Sequence, residues 1–223
     1  RNIDMSLVLN AASRYADIIS LEQLNEYKQN IIGCGAIGSQ VVLMLSKMGA
    51  TSMILWDFDS VDATNIGVQG FPFDHIGIPK VNSLLRTIDY FGAVSTNHKA
   101  INDKFSSAKY DEEERLQIAF MCLDSMKYRN TISKSLARNP KTKLIVDARM
   151  SAEVLHVFSY TPDKQASYEK TLFSQDEMYQ ERCTAKSTLY TASLAASLMI
   201  SSYKYWLVNE SQPTNYYDHI TWD

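Results

Sequence analysis

A glycine-rich turn is the feature that most constrains how this chain of 223 residues can fold. The turn Gly33-Cys34-Gly35-Ala36-Ile37-Gly38 matches the pattern G-x-G-x-x-G. It follows the short apolar run 30–32 and precedes a run with helical spacing that stops at Gly49. In this strand–turn–helix context, such a motif binds phosphate groups at the helix N-terminus. The turn alone fits NAD, FAD and ATP equally well, so it predicts a nucleotide site without specifying the nucleotide.

Strands and helices alternate beyond this turn, which predicts an α/β fold. We expect a Rossmann-like, mostly parallel sheet with helices on both faces and additional antiparallel strands at the C-terminal side. The apolar patterns predict strands over 30–32, 52–56, 94–101, 117–123, 143–147 and 154–160, and helices over 5–27, 41–48, 80–91, 125–137 and 187–208. Residues 161–182 are polar and predict a long loop with short helical pieces, and residues 209–223 show no clear period.

Composition excludes several classes of protein. The chain has 22 Lys and Arg against 25 Asp and Glu, a formal net charge of −3, so no bulk electrostatic affinity for nucleic acid or anionic membrane is expected. The apolar stretch 189–200 is too short for a membrane span, which needs about 20 apolar residues, and predicts a buried helix instead. Three widely spaced cysteines without a CxxC pair argue against a thiolate zinc site and favour a reducing, cytoplasmic location.

Charged residues after the later strands discriminate between the possible nucleotides. Asp57 lies 19 residues past Gly38, where a carboxylate can accept hydrogen bonds from both hydroxyls of a ribose. Lys80 stands at a predicted helix N-terminus, where a cation is unfavourable unless an anion such as a triphosphate lies nearby; the alternative is a lysine that faces solvent. Asp124 follows the fourth strand and could hold Mg²⁺ between phosphate oxygens, cap the next helix, or do both. Lys80 and Asp124 therefore favour ATP with Mg²⁺.

An ordered set of motifs resembles one family. The segments IIGCGAIGSQ, LWDFDSVDATNIGVQG, IGIPK and CLDSMKYRN are similar to those of the ThiF/MoeB/HesA superfamily of ubiquitin-activating-enzyme-like adenylyltransferases, and VDARMSAE and ERCTAKSTLYTASLAA resemble its bacterial members. The resemblance implies a single adenylation domain over 1–223, with an N-terminal helical segment at 1–28, a crossover loop at 161–186 and a tail at 209–223. It implies an enzyme that uses ATP and Mg²⁺ to adenylylate the C-terminal carboxylate of a ubiquitin-like or sulfur-carrier protein, or of a peptide. It also implies a homodimer.

The resemblance implies roles for individual residues. The nucleotide would be bound by the glycine turn and by residues after the second strand, namely Gly33, Gly35, Ala36, Ile37, Gly38, Asp57, Asp59, Asn65, Gln69 and Lys80. Asp57 would bind the ribose, and Asn65 and Lys80 would contact the phosphates. Asp124 would hold Mg²⁺. Arg14 matches an N-terminal arginine that, in this family, reaches into the site of the partner subunit.

One position departs from the family pattern. The family commonly has an arginine before the glutamine of its N-x-x-R-Q stretch, whereas this chain has Val68 before Gln69. An arginine there would stabilise charge on the transferring phosphate. Its absence implies weakened chemistry, a substitute such as Arg14 or Arg86, or a non-catalytic chain.

Cys183 is the candidate for a second, covalent step. It lies in the polar crossover before the last helix, next to Arg182 and near Lys186, and cationic neighbours lower a thiol pKa. A thiolate there could capture the acyl adenylate as a thioester, as cysteines in this crossover do in several members of the family. The alternative is an ordinary small residue before a helix. Cys34 and Cys122 are interpreted as packing residues.

Two other functions remain open from the sequence. An NAD-dependent oxidoreductase would explain the glycines and Asp57 but gives no role to Lys80 or Asp124. A non-catalytic partner of an active subunit would explain Val68. Arg149, after the fifth strand, is a candidate contact for the C-terminal tail of a substrate.

Overall fold

The computed structural model describes residues 16–90, 97–172 and 188–209, and the backbone alone of 216–219. These residues form a seven-stranded sheet with the strand order β3-β2-β1-β4-β5-β6-β7. The strands are β1 Lys28–Ile32, β2 Met53–Trp56, β3 Lys99–Ile101, β4 Gln117–Met121, β5 Thr142–Ser151, β6 Val154–Tyr160 and β7 Tyr216–His219. Strands β1 to β5 are parallel to one another. Strands β6 and β7 are antiparallel and extend the sheet beyond β5. The predicted mostly parallel sheet with antiparallel strands at the C-terminal side is confirmed.

Helices cover both faces of the sheet. They are α1 Leu21–Asn25, α2 Ala36–Met48, α3 Lys80–Tyr90, α4 Ser107–Asp111, α5 Met126–Arg138, α6 Gln165–Glu169 and α7 Leu189–Asn209, with 3₁₀ turns at Ala63–Asn65, Phe73–His75 and Pro162–Lys164. One buried apolar cluster joins the sheet to α2, α3 and α7, and a second joins it to α4, α5 and α6. Burial on both faces explains why β2 and residues 118–121 of β4 are continuous apolar runs rather than alternating ones, whereas β1 begins with the buried polar residues Lys28, Gln29 and Asn30.

The long helix α7 packs closely because its inner residues are small. Ala192, Ala195 and Ala196 are completely buried, so the prediction of a buried helix here is confirmed. None of the helices in the described ranges is long and apolar enough to cross a membrane.

Several predicted elements have different ends in the structure. The fifth strand runs over 142–151 rather than 143–147, because its second half pairs with β6. In the described part of the helix predicted over 5–27, only 21–25 are helical. Residues 1–15 and 91–96 lie outside the described residues, so the first half of that helix and the start of the strand predicted over 94–101 do as well. Strand β7 was not predicted.

The loops after β1, β2 and β4 meet at one edge of the sheet. Ile32, the last residue of β1, lies opposite Trp56 of β2 and Met121 of β4, so the three parallel strands end at the same level. The chain continues from β1 to β2 and β3 on one side of the sheet, and then crosses to β4 and β5 on the other side of β1. In open α/β sheets such a switch point creates a crevice at the carboxyl ends of the strands, where ligands bind.

Candidate functional site

Two glycines of the turn are required by its geometry. Gly33 has φ +91°, and a Cβ there would lie 2.5 Å from the carbonyl oxygen of Cys122. A Cβ on Gly38 would lie 1.9 Å from the carbonyl oxygen of Gly33. By contrast, a Cβ on Gly35 would have no atom within 4 Å. The turn is therefore tightly packed towards β4 and α2, and open on the side of Gly35.

The first N–H groups of α2 lie next to this open side of the turn. Gly35 is the N-cap residue and, as a glycine, has no side chain with which to cap the helix. The first N–H groups of a helix lack partners within it, so they can bind an anion. Ala36 and Ile37, the first two residues of α2, are the predicted nucleotide contacts that carry these groups.

Asp57 connects the turn after β1 with the loop after β2. Its Oδ2 accepts a hydrogen bond from the backbone N–H of Cys34 at 2.7 Å, and its Oδ1 accepts one from the N–H of Asp59 at 2.8 Å. The side chain is half-buried. This predicted ribose ligand thus lies directly beside the glycine turn.

Lys80 forms an ion pair with Asp59. Its Nζ lies 3.0 Å from Oδ2 of Asp59, and its backbone N–H donates to the carbonyl oxygen of Asp59 at 2.9 Å. The Lys80 side chain is only 8% exposed, whereas that of Asp59 is 51% exposed. The alternative of a lysine that faces solvent is therefore wrong. The anion that the sequence argument required beside Lys80 is present in the protein itself.

Asn65 and Gln69 lie in the loop between Asp59 and Lys80. The side-chain oxygen of Asn65 closes a turn by accepting a hydrogen bond from the N–H of Asp62 at 3.0 Å. The backbone carbonyl oxygen of Asn65 accepts a hydrogen bond from the N–H of Gln69. Oε1 of Gln69 is buried and has no hydrogen-bond partner among the described residues. Such an oxygen is a ready acceptor for a ligand, because a buried polar atom is costly to leave unpaired.

Asp124 lies in the loop after β4 and is exposed. The contact between Gly33 and Cys122 places this loop against the glycine turn, two residues before Asp124. Helix α5 is capped by Ser125, whose Oγ accepts from the N–H of Tyr128 at 3.4 Å. The alternative reading of Asp124 as the N-cap is therefore wrong, and its carboxylate is not used in capping.

A buried ionic cluster, which sequence reasoning did not predict, lies beneath the loop after β4. Asp147 is completely buried and accepts hydrogen bonds from Arg129, from Nε of Arg149 at 2.9 Å and from the hydroxyl of Tyr168 at 2.9 Å. Burial lowers the pKa of the Arg129 guanidinium to about 10, which leaves it charged at neutral pH. We call Arg129, Asp147 and Arg149 the buried triad; it contains two cations and one anion.

Arg149 is not placed where the tail of a substrate could meet it. Its side chain is 6% exposed, stacks on the ring of Phe158 at 4.2 Å and donates to the carbonyl oxygen and hydroxyl of Thr171. Its predicted role as a contact for the substrate is therefore wrong.

Cys34, which is buried, and Cys122, which is partly buried, lie in the two loops that meet at the glycine turn. Burial raises the pKa of both thiols, that of Cys122 to about 12. Since the thiolate is the reactive form, the raised pKa values disfavour a nucleophilic role for either cysteine at neutral pH. This agrees with their interpretation as packing residues.

Comparison with known proteins identifies the family. Residues 6–221 match the model of the ThiF family. The chain belongs to the ThiF family. The ubiquitin-like modifier-activating enzyme 5 of Drosophila mojavensis is 21% identical over 240 residues, which cover 95% of this chain and 60% of that protein. The molybdopterin-synthase adenylyltransferase of Haemophilus influenzae is 29% identical over 156 residues, which cover 66% of this chain and 61% of that protein.

Solved structures of the same architecture include the microcin C7 biosynthetic enzyme MccB in complex with N-formylated MccA. It has a TM-score of 0.74 and 19% identity, and the match covers 95% of this chain and 72% of that chain. E. coli MccB with ATP has a TM-score of 0.70 and 19% identity over 90% of this chain and 66% of that one. These likenesses establish the fold. The ThiF-family chain spans between 34% and 60% of the length of the first curated relatives that it matches.

Arg14, Cys183 and Val68 are the remaining positions of this ThiF-family chain that the sequence singled out. Arg14 and Cys183 lie outside the described residues. Val68 is half-buried in the loop that carries Asn65 and Gln69, so an uncharged side chain occupies the position where the family pattern has arginine.

Proposed function

We propose that the chain is an ATP- and Mg²⁺-dependent adenylyltransferase. Its substrate would be the C-terminal carboxylate of a ubiquitin-like or sulfur-carrier protein, or of a peptide. The observation that carries the proposal is the hydrogen-bonded path from the N–H of Cys34 through Asp57 and Asp59 to Lys80, which links these three side chains to the glycine turn. The names of the curated relatives, and MccB structures with ATP and with MccA, support the same chemistry.

The residues of the chain would hold ATP at the open side of the glycine turn. The N–H groups of Ala36 and Ile37 are suited to phosphate oxygens, because they lack partners within the helix. A carboxylate has about four acceptor positions, so Asp57 can accept from ribose hydroxyls while it keeps its two backbone donors. Lys80 has three donors, and only one is needed for Asp59.

The residues also fit Mg²⁺ bound together with the nucleotide. No group of three or more His, Cys, Asp or Glu side chains that could hold a metal ion exists within the described residues. Mg²⁺ commonly keeps several waters and is held by one or two carboxylates plus phosphate oxygens. Asp124 is an exposed carboxylate beside the glycine turn and is the residue that would hold it. Bound there, Mg²⁺ would neutralise part of the phosphate charge.

The reaction needs orientation and charge neutralisation rather than a base. A carboxylate oxygen of the substrate would attack the α-phosphorus, forming an acyl–phosphate bond while the bond to the departing pyrophosphate breaks. The carboxylate is already ionised at neutral pH, so no proton has to be removed. Orientation of two reactants can supply about 7–11 kcal/mol of the barrier. Lys80 and the N-terminus of α2 would reduce the repulsion between the two anions.

Two further steps belong to the proposal. Cys183 would receive the acyl group as a thioester, with AMP leaving, and Arg14 of one protomer would complete the site of the other in a homodimer. Cys183→Ala should then leave adenylate formation intact and remove the thioester. Unchanged product transfer by this variant would contradict the covalent step.

The decisive experiment is ATP–pyrophosphate exchange with purified candidate carrier proteins and peptides. We expect exchange that depends on the carrier, and loss of exchange in Asp124→Ala with the fold retained by circular dichroism.

Val68 favours a second candidate function, a non-catalytic partner subunit. Nucleotide binding without exchange for any carrier would support that alternative.

A further inference from the structure

We infer that Arg129 is a positioning residue that holds the loop carrying Asp124 in the geometry needed for the Mg²⁺–nucleotide complex. The inference rests on the proposed function, because it concerns the same nucleotide site. Arg129 lies on α5, one helical turn after Ser125, and its side chain is 2% exposed. Arg129 is not one of the residues proposed to bind ATP or Mg²⁺. Its effect on Asp124 would be transmitted through the backbone of Leu123.

Arg129 bridges the loop after β4 to β5. One terminal nitrogen of its guanidinium donates to the carbonyl oxygen of Leu123, the residue before Asp124. The other donates to Asp147 and, at 3.2 Å, to the carbonyl oxygen of Ala148. A planar guanidinium can satisfy acceptors on two sides at fixed angles, whereas an ammonium group cannot reproduce this fork.

The side chains of Cys122 and Leu123 pack against the core, and backbone hydrogen bonds hold the loop on both sides of Leu123. Cys122 is still held by the sheet, since its N–H donates to the carbonyl oxygen of Ile32 at 2.8 Å. Ser125 is held by α5, since its carbonyl oxygen accepts from the N–H of Arg129 at 3.0 Å. Between these two residues, the carbonyl oxygen of Leu123 accepts a hydrogen bond from the guanidinium group of Arg129. The orientation of Asp124 therefore depends on the buried triad.

The buried triad supplies a matched control. Arg149 also donates to Asp147, but its remaining hydrogen bonds go to Thr171 rather than to the loop after β4. Arg129→Gln and Arg149→Gln each remove one cation from a cluster of two cations and one anion. Each variant keeps a balanced Arg–Asp pair, so both are expected to fold. Only Arg129→Gln removes the bond to Leu123.

The test measures binding rather than activity. A nonhydrolysable ATP analogue is held at fixed concentration, Mg²⁺ is titrated, and bound analogue is followed by thermal shift and calorimetry. For Arg129→Gln we expect the Mg²⁺ concentration at half-saturation to rise about ten-fold, the lower end of the effect of losing a partner that orients a metal ligand. For Arg149→Gln we expect a change below about two-fold, since the loop after β4 keeps its support.

The sign of the change separates positioning from simple electrostatics. Removing a positive charge close to Asp124 would, by Coulomb attraction alone, strengthen Mg²⁺ binding. Tighter or unchanged binding in Arg129→Gln would overturn the inference, as would an equal loss in both variants. If Arg129→Gln does not fold, Arg129→Lys keeps the charge without the fork and carries the same expectation. If the wild-type chain shows no Mg²⁺-dependent nucleotide binding, the proposed function itself fails.

Discussion

Gly38→Ala is a substitution for which helix propensity and packing predict opposite signs. Gly38 lies in the first turn of α2, and within a helix Ala is favoured over Gly by about 1 kcal/mol. The new Cβ would, however, lie 1.9 Å from the carbonyl oxygen of Gly33 and 2.9 Å from its carbonyl carbon. To restore ordinary contact at 3.4 Å, the turn and the helix would have to separate by about 1.5 Å. Both atoms belong to the backbone, so no side chain can rotate away.

The packing cost should exceed the gain in propensity. Overpacking a tight site costs about 1–3 kcal/mol and more where the backbone must move. The turn cannot retreat easily, because Gly33 is itself packed against the carbonyl oxygen of Cys122. We therefore expect Gly38→Ala to lower the free energy of unfolding by about 2 kcal/mol, measured by urea denaturation. Nucleotide binding should be lost as well.

Gly35→Ala is the matched control in the same turn. Its Cβ would meet nothing within 4 Å, so only the N-cap position is affected and the cost in stability should stay below about 1 kcal/mol. The added methyl group would occupy the open side of the turn, and we expect weaker nucleotide binding with the fold retained. A Gly38→Ala variant as stable as the wild type would refute the close approach of α2 to the turn.

Three further predictions follow from the described contacts. Lys80→Met should abolish pyrophosphate exchange but leave the fold intact by circular dichroism, because the half-exposed Asp59 can be solvated when its partner is lost. Asp147→Asn should lower the free energy of unfolding in urea by about 3–5 kcal/mol, because two buried guanidinium groups lose their carboxylate. Burial lowers the pKa of His98 from 6.5 to about 4, so the unfolded chain binds a proton that the folded chain does not between these values. Stability should therefore fall as the pH drops from 6.5 to 4, and His98→Asn, which can still accept from the N–H of Met53, should show a shallower fall in the urea midpoint.

The closeness of Asp57 to the glycine turn could be predicted because its signals are local in sequence. The pattern of glycines requires a particular backbone path, and Asp57 lies at the end of the next strand, so adjacency in the sheet brings the two together. The unusual position of Lys80 at a helix N-terminus predicts a nearby anion, and the sequence favours a triphosphate; the anion in the structure is the carboxylate of Asp59. Its identity could not be read from the sequence, because Asp59 approaches Lys80 only when the loop between them folds back, with the N–H of Val61 donating to the carbonyl oxygen of Ile78.

The buried triad could not be predicted, because its members meet only in the folded chain. Arg129 belongs to a helix that is rich in polar residues, and Arg149 follows the end of the predicted apolar strand 143–147. Asp147 lies level with Met121 at the end of β4, and Arg149 can pair with it because β5 continues beyond that level. The sequence shows that these three residues are charged, but only the packing of the folded chain determines that they are buried and paired with one another.

Strand β7 shows the same limit at the edge of the sheet. Residues 216–219 have no alternating pattern, and they form a strand by pairing with β6 along four residues. Edge strands are stabilised by the backbone of the neighbouring strand, so their own sequence carries little signal. The fully buried strand β4, in contrast, could be predicted from composition alone.

The charges at the carboxyl edge of the sheet explain why a metal ion should be needed. The predicted ligand residues include three carboxylates, of Asp57, Asp59 and Asp124, against the single ammonium group of Lys80, which is already paired. A polyphosphate carries several negative charges, so it would be repelled by this edge unless cations accompany it. The family pattern would supply one as an arginine, but this chain has Val68 there. Mg²⁺ on Asp124, and an arginine from outside the described residues such as Arg14, would therefore have to contribute more to binding than in a chain that keeps the arginine.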